Sequence, residues 1–117
     1  MKYGRLCGNL LSIVVALVCH ASEAVAGFAQ AGYISDMSVS NGVVSFESSS
    51  PHVTPPPCQP EVNRRLWAFD GATAKGQVML SVILSAQAQG KMVTIGGTST
   101  CDPRGDVEGV IAVTVSQ

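Results

Sequence analysis

The chain has 117 residues, of which 46% are hydrophobic and 13% charged, and its seven Lys and Arg against eight Asp and Glu give a net charge of −1. Because these few cations are scattered, the chain lacks the basic surface that binding to phosphates requires, and nucleic acid is excluded as a partner. The length allows one modest domain, and small domains bury a smaller share of their surface than large ones.

The first 26 residues have the pattern of a secretory signal peptide. Lys2 and Arg5 precede an apolar run over residues 10–18, and Ala24-Val25-Ala26 supplies small residues just before Gly27. This order of basic, apolar and small residues predicts cleavage near Ala26.

A membrane anchor and a lipid-bearing cysteine are the weaker alternatives for this segment. The apolar run is about half of the ~20 residues that span a bilayer, so no stable membrane span is expected. Val18 is bulkier than the small residue that usually precedes a lipidated bacterial cysteine, which argues against a lipid on Cys19. The sequence therefore predicts a single secreted or periplasmic domain over residues 27–117.

A β-hairpin is predicted between Gly32 and Phe46. Asn41-Gly42 favours the positive backbone angles of a tight two-residue turn, and short alternating segments flank it. The residues expected to share a face are Tyr33, Met37 and Val39 on the first strand, and Val44 and Phe46 on the second.

A proline-rich loop is predicted over residues 48–60, because prolines lack the amide hydrogen that a strand ladder needs. It contains His52, the only histidine after Gly27, which is expected to be solvated. Cys58 lies near the end of this loop. In an oxidising compartment Cys58 and Cys101, the only cysteines after the signal segment, can form a disulfide, with two unpaired buried thiols as the alternative.

A third strand and one helix are predicted next. Residues 64–70 alternate as a strand covered on both faces, Thr73 is suited to cap a helix that runs to about Gln89, and Gly90 is suited to end it. The helix face expected to cover the sheet consists of Gly76, Met79, Leu80, Ile83 and Leu84.

A second row on this helix contains Val78, Val82, Ser85 and Gln89. On a lone domain it would be partly exposed, whereas a second copy of the same helix could bury it. Val78, Val82 and Ser85 are therefore candidate oligomer-interface residues, and the alternative is a helix that sinks deeply between the sheet and the loops.

Two further strands complete the domain, residues 91–95 and a segment that begins at Val107 and ends at Val115, with Gly96-Gly97 breaking or bulging the first. The predicted fold is mainly β: a five-stranded Greek-key barrel of the oligonucleotide/oligosaccharide-binding (OB) type, with one α-helix between strands three and four.

Several segments of the second half resemble small secreted bacterial proteins related to the B subunits of AB5 toxins, especially the subtilase-cytotoxin B-like group. They are Leu66-Trp67-Ala68-Phe69-Asp70, the helix over residues 76–86, residues 90–95, Cys101 and Glu108-Gly109-Val110. This resemblance implies homopentamers whose helices line a central pore and whose barrels bind cell-surface glycans.

The sequence offers poor material for catalysis. His52 has no acidic pair or cysteine spacing near it, so neither a metal nor a cofactor is expected and the protein is not predicted to be an enzyme. If the barrel binds sugar, an exposed aromatic ring must join polar groups. The candidate ligand-binding residues are Tyr33, Ser35, Asp36 and Trp67, with Gln59 as a further polar group; for Trp67 a place in the core is the favoured interpretation.

We therefore expect a secreted, non-catalytic binding module, and a lectin-like receptor-binding subunit of a ring-forming oligomer is the form that the resemblance implies. The alternative is a monomeric periplasmic OB domain that binds an envelope protein or a small ligand.

Overall fold

A computed structural model describes residues 27–117, so the predicted signal peptide over residues 1–26 lies outside the described part of the chain. The described residues form a mainly β domain with one α-helix, as the sequence predicts. The elements in chain order are β1 (Phe28–Gly32), β2 (Ile34–Ser40), β3 (Val43–Ser48), a short 3-10 helix (Glu61–Asn63), β4 (Leu66–Asp70), α1 (Ala74–Ala88), β5 (Val93–Gly97) and β6 (Val110–Val115).

The strands form two antiparallel sheets of three, in the orders β1-β5-β6 and β2-β3-β4. Tyr33 alone separates β1 from β2, so one nearly continuous extended segment serves both sheets. A parallel bridge between Ala68 in β4 and Gly109 just before β6 joins the sheets at a second place. There the Ala68 amide donates a hydrogen bond of 3.2 Å to the Glu108 carbonyl.

Six strands are present in this part of the chain, and the expectation of five was wrong because β1 was missed. Phe28–Gly32 consists largely of small residues and has no hydrophobic alternation that would indicate a strand. Its strand geometry comes from distant pairing instead, with Phe28 opposite Gly96 and Ala29 opposite Ile95 in β5.

The last strand also begins later than predicted, at Val110 rather than Val107. Val107 and Glu108 are buried, but the backbone there bonds to loops and to Ala68 in β4, and not to β5. The Glu108 amide donates to the Gln59 side chain and the Gly109 amide donates to the Thr100 carbonyl.

The turn and cap predictions are confirmed. Asn41 and Gly42 have φ angles of 51° and 78° and join β2 to β3 as a two-residue turn. The Thr73 hydroxyl accepts a hydrogen bond of 3.0 Å from the Gly76 amide at the start of α1. Gly90, with φ of 64°, follows the end of that helix.

The core lies between the two sheets and α1. Phe46 and Trp67 are neighbours across the β3–β4 pair, and Phe46 meets Phe69 edge to face with ring centres 6.3 Å apart. From α1 the buried residues are Gly76, Ile83 and Ala86, with Met79 and Leu80 partly buried against the same core. Leu84, which was expected on this face, is instead 46% exposed.

Cys58 and Cys101 form a disulfide, which confirms the predicted pairing. The bond joins the end of the proline-rich loop to the segment that follows β5, with 6.2 Å between the two Cα atoms. A disulfide of this kind is compatible with an oxidising, extracytoplasmic compartment. No helix within residues 27–117 has the length and apolar character needed to cross a membrane.

Candidate functional site

A cleft lies on the outer face of the β2–β3 hairpin, next to its turn. Ser38 pairs with Ser45 and Ser40 pairs with Val43 across the two strands. Because side chains alternate along a strand, these four residues share one face, and Asn41 extends it at the turn. The opposite face carries Val44 into the core.

The second wall of the cleft is the loop that follows Cys101. Pro103 and Arg104 on this loop complete the lining, and Arg104 Nη1 donates a hydrogen bond of 3.3 Å to Ser45 Oγ. Arg104 Nε also lies 3.0 Å from Asp106 Oδ1, which holds the guanidinium in place. Since Cys101 is tied to Cys58, the disulfide anchors the base of this wall.

The cleft has a volume of about 480 Å³, within the ~300–1,000 Å³ usual for small-molecule sites. Its lining combines three hydroxyls, one amide and one guanidinium with the apolar surfaces of Val43 and Pro103. Hydroxyls and amides both donate and accept hydrogen bonds, and a guanidinium donates several. The arrangement can therefore hold a small, polyhydroxylated ligand that also has an apolar face.

A buried cluster of His52, Trp67 and Glu108 holds the proline-rich loop and the segment before β6 together. The expectation that His52 is solvated was wrong, since 1% of the residue is exposed. Its ring stacks on the Trp67 indole with 3.6 Å between centres and 12° between planes. Its Nε2 lies 3.5 Å from Glu108 Oε1, and neither side chain has exposed surface.

The hydrogen bonds of His52 determine where its proton lies. His52 Nδ1 is 2.7 Å from the Arg64 carbonyl oxygen, and a carbonyl can only accept, so Nδ1 is the donor. In the neutral ring Nε2 then carries a lone pair that faces Glu108. Burial lowers the pKa of His52, and the positive charge of Arg64 lowers it further. The hydrogen bond to the Arg64 carbonyl acts in the opposite direction and raises this pKa.

Burial has the opposite effect on Glu108 because the carboxylate is its charged form. It raises the pKa of Glu108, against the opposing effect of the Ser99 and Gly27 backbone N–H groups. The Ser99 amide donates a bond of 2.9 Å to Oε2, whereas Oε1 has no hydrogen-bond partner among residues 27–117. Within those residues the pair is best satisfied when one proton lies between Oε1 and Nε2.

Gln59 links the same loops. Its Nε2 donates to the Asn63 carbonyl at 2.6 Å, and its Oε1 accepts from the Glu108 amide at 2.9 Å. Gln59 is 7% exposed, so this polar group, considered for sugar binding from the sequence, holds the proline-rich loop against the segment that leads to β6.

The predicted ligand-binding residues are not brought together. Trp67 has no exposed surface and its ring faces the core, so it offers no face to a ligand. Tyr33 is 55% exposed, and Ser35 and Asp36 are exposed on β2, but none of the three lines the cleft. Asp36 has a φ of 48° at a bulge in the β2–β3 pairing, which interrupts the expected alternation.

The residues that do line the cleft were missed, although the sequence carried a weak signal for them. Ser38 and Ser40 alternate along a strand next to an Asn-Gly turn, which places two hydroxyls on one face. The position of Arg104 over this face depends on a loop that only the folded chain brings there.

The predicted interface residues on α1 lie along one side of the helix. Val78 is 66% exposed, Ser85 is exposed and Val82 is half-buried.

Within residues 27–117, no group of three or more His, Cys, Asp or Glu side chains is placed to hold a metal ion. Comparison with protein-family models, with curated proteins and with solved structures finds no match to this chain.

Proposed function

We propose that this chain is an exported, non-catalytic binding domain that holds an oligosaccharide in the cleft between the β2–β3 hairpin and the Cys101–Asp106 loop. The observation that carries the proposal is the convergence of Ser38, Ser40, Ser45 and Arg104 on one concave surface. The disulfide that anchors the cleft wall is consistent with a protein that works in an oxidising compartment.

We also infer that the two sheets are halves of one OB-type barrel. The continuous β1–β2 segment and the Ala68–Gly109 bridge are the two junctions that such a barrel needs. OB barrels bind oligonucleotides and oligosaccharides on the face of their second and third strands, beside the loops that follow strands one and four. When β1 and β2 are counted as a single strand, the cleft lies on the first and second strands, beside the loops that follow strands one and four.

The chemistry of the lining favours a sugar over the other ligands of such barrels. A nucleic acid needs several cations along its backbone, and the cleft has one, Arg104, already paired with Asp106. The lining residues include no His, Cys or carboxylate that could act as nucleophile or base, which supports binding without catalysis. Val43 and Pro103 give the apolar contact that the C–H face of a sugar ring requires.

A glycan array with the exported protein tests the proposal. Arg104→Ala is expected to weaken binding of the best glycan about tenfold, the usual effect of losing a charge-assisted hydrogen bond. Arg65→Ala is the matched control, because Arg65 is exposed, lies outside the cleft and bonds to the Ser49 carbonyl at 2.9 Å. Absence of binding above background, or equal affinity in the two variants, contradicts the proposal.

A second proposal concerns self-association through α1, as expected for a ring-forming subunit. Val78 is 66% exposed and Val82, one turn along the same row, is half-buried, so the helix presents apolar side chains that a neighbouring copy could cover. Because the side chain of residue 78 is exposed in the isolated domain, an aspartate there is solvated and does not disturb the core. Val78→Asp is therefore expected to dissociate an oligomer without unfolding the subunit.

Sedimentation of the native protein at micromolar concentration tests this second proposal. An oligomer that Val78→Asp disperses, and that Gln77→Asp on the neighbouring exposed position does not, supports it. A native protein that sediments as a strict monomer contradicts the ring and favours the monomeric periplasmic OB domain that binds an envelope protein or a small ligand.

A further inference from the structure

Gly27, the residue that follows the predicted signal-peptide cleavage site, is buried and firmly held. Its carbonyl accepts a hydrogen bond of 2.6 Å from the Gly97 amide, and its nitrogen lies 3.2 Å from Ser99 Oγ. This N–H donates to Ser99 Oγ and is also close enough to the Glu108 carboxylate to help lower its pKa. The start of the predicted mature chain therefore lies against a buried acid.

The fit around Gly27 leaves no space for a side chain. A Cβ atom built there would overlap both carboxylate oxygens of Glu108, and one built on Gly97 would overlap Oε2. These two glycines let backbone close around the carboxylate on two sides. At Gly27 and Gly97 the backbone lies closer to the Glu108 carboxylate than it could if either residue had a side chain.

Glu108 lacks a full cationic partner among the described residues. Among residues 27–117, His52 is the only basic group within ion-pair distance of Glu108, and burial lowers its pKa, which disfavours the imidazolium. Two arginines on the same loops pair elsewhere: Arg64 Nη1 lies 2.9 Å from Glu61 Oε1, and Arg104 Nε lies 3.0 Å from Asp106 Oδ1. The strands around the pair contribute Ala29, Trp67 and Gly97, none of which titrates.

We propose that signal-peptide removal after Ala26 supplies the missing partner, because the new α-ammonium group of Gly27 forms a buried ion pair with the Glu108 carboxylate. Signal peptidase adds water across the Ala26–Gly27 amide bond, which leaves a carboxylate on Ala26 and an ammonium on Gly27. The inference rests on the predicted cleavage site and is independent of glycan binding.

Cleavage changes both the charge and the number of donors at this nitrogen. An amide has one N–H for the surrounding acceptors, Ser99 Oγ and the Glu108 carboxylate, whereas an ammonium has three. A buried carboxylate is unfavourable unless it is paired and hydrogen-bonded. Processing therefore supplies Glu108 with a cationic partner, so the exported chain is more stable than the unprocessed one at neutral pH.

The test compares the full chain, exported and processed, with a variant that carries one asparagine inserted between Ala26 and Gly27. Intact mass first identifies the new N-terminus. At pH 7 the insertion is expected to lower the folding equilibrium constant at least about tenfold, which is about 1.4 kcal/mol. In a protein that also carries Glu108→Gln, the insertion should change the folding equilibrium constant little. In a protein that carries the control substitution Glu47→Gln, the insertion should lower that constant as much as it does in the native protein.

A second measurement uses the unmodified protein, in case Glu108→Gln does not fold. The pKa of the α-amino group, followed by its rate of chemical acetylation against pH, should lie at least about one unit above the usual value of about 8. A pKa of about 8, an insertion without effect on the folding equilibrium, or a mature chain that does not begin at Gly27 would overturn the inference.

Discussion

His52 and Glu108 meet in the core from two separate loops, with 3.5 Å between Nε2 and Oε1 and no exposed surface on either side chain. His52 belongs to the proline-rich loop, and Glu108 follows the disulfide-anchored loop that carries the cleft wall. Their contact therefore joins the two irregular segments that shape the candidate site, and its protonation state bears on how firmly they are held.

The buried imidazole is expected to make the domain less stable in mild acid. Burial lowers the pKa of His52 in the folded chain below 6.5, the ordinary value that applies in the unfolded chain. Between the lowered pKa and 6.5, the unfolded chain therefore binds a proton that the folded chain does not. The stability that depends on the neutral ring is present above pH 6.5 and is lost as the pH falls, by at most about 1.4 kcal/mol per pH unit. Urea unfolding between about pH 7 and about pH 5 measures it.

The matched variant for this prediction is His52→Gln, which removes the titration. Its stability at pH 7 should be lower, because the stacking on Trp67 is lost, but its slope between pH 7 and pH 5 should be flatter than that of the native protein. An unchanged slope would show that other groups control the acid response.

Glu108 is expected to have the opposite pH dependence in a chain whose Gly27 nitrogen remains an amide, such as the asparagine-insertion variant. Burial raises the pKa of Glu108 above 4.5, so the folded chain keeps a proton that the unfolded chain releases. Stability then falls as the pH rises from 4.5 toward the raised value. In that variant Glu108→Gln should increase the unfolding free energy at pH 7, since its amide nitrogen can donate to His52 Nε2 without titrating.

The close packing around this carboxylate predicts different outcomes at two adjacent glycines. A Cβ on Gly97 would overlap Glu108 Oε2 and lie 2.9 Å from a ring carbon of Trp67, whereas a Cβ on Gly96 would meet Ala112 Cβ at 3.4 Å, an ordinary contact. Gly97→Ala should lower the unfolding free energy by about 1–3 kcal/mol, the usual effect of overpacking a core. Gly96→Ala should change it little, as thermal unfolding of the two variants can show.

The elements that the sequence predicted well depend on local chemistry. The Asn41-Gly42 turn, the Thr73 cap and Gly90 at the helix end each follow from the conformational preference of the residue itself. β1 could not be found in this way, because its small residues become a strand only through pairing with β5. Likewise, nothing near His52 in the sequence indicates burial; its partners, Trp67 and Glu108, lie far along the chain.

The candidate site was harder to predict for the same reason. Trp67 was considered both as a ring that could stack on a sugar and as a core residue, and the β3–β4 pairing turns it into the core beside Phe46. Arg104 joins Ser45 only because the loop after the disulfide folds across the β2–β3 hairpin. Such a juxtaposition depends on tertiary topology, which hydrophobic periodicity does not encode.

The disulfide is expected to control both the stability and the ligand affinity of the domain. It closes a loop with a sequence separation of 43, for which chain entropy gives about 4 kcal/mol. Replacing Cys58 and Cys101 together by alanine should lower the unfolding free energy by an amount of this order and also loosen the Pro103–Arg104 wall. At a temperature where the variant is still folded, as circular dichroism can verify, glycan affinity should fall. A variant with reduced stability but native affinity would show that the Arg104–Ser45 and Arg104–Asp106 contacts suffice to hold the wall.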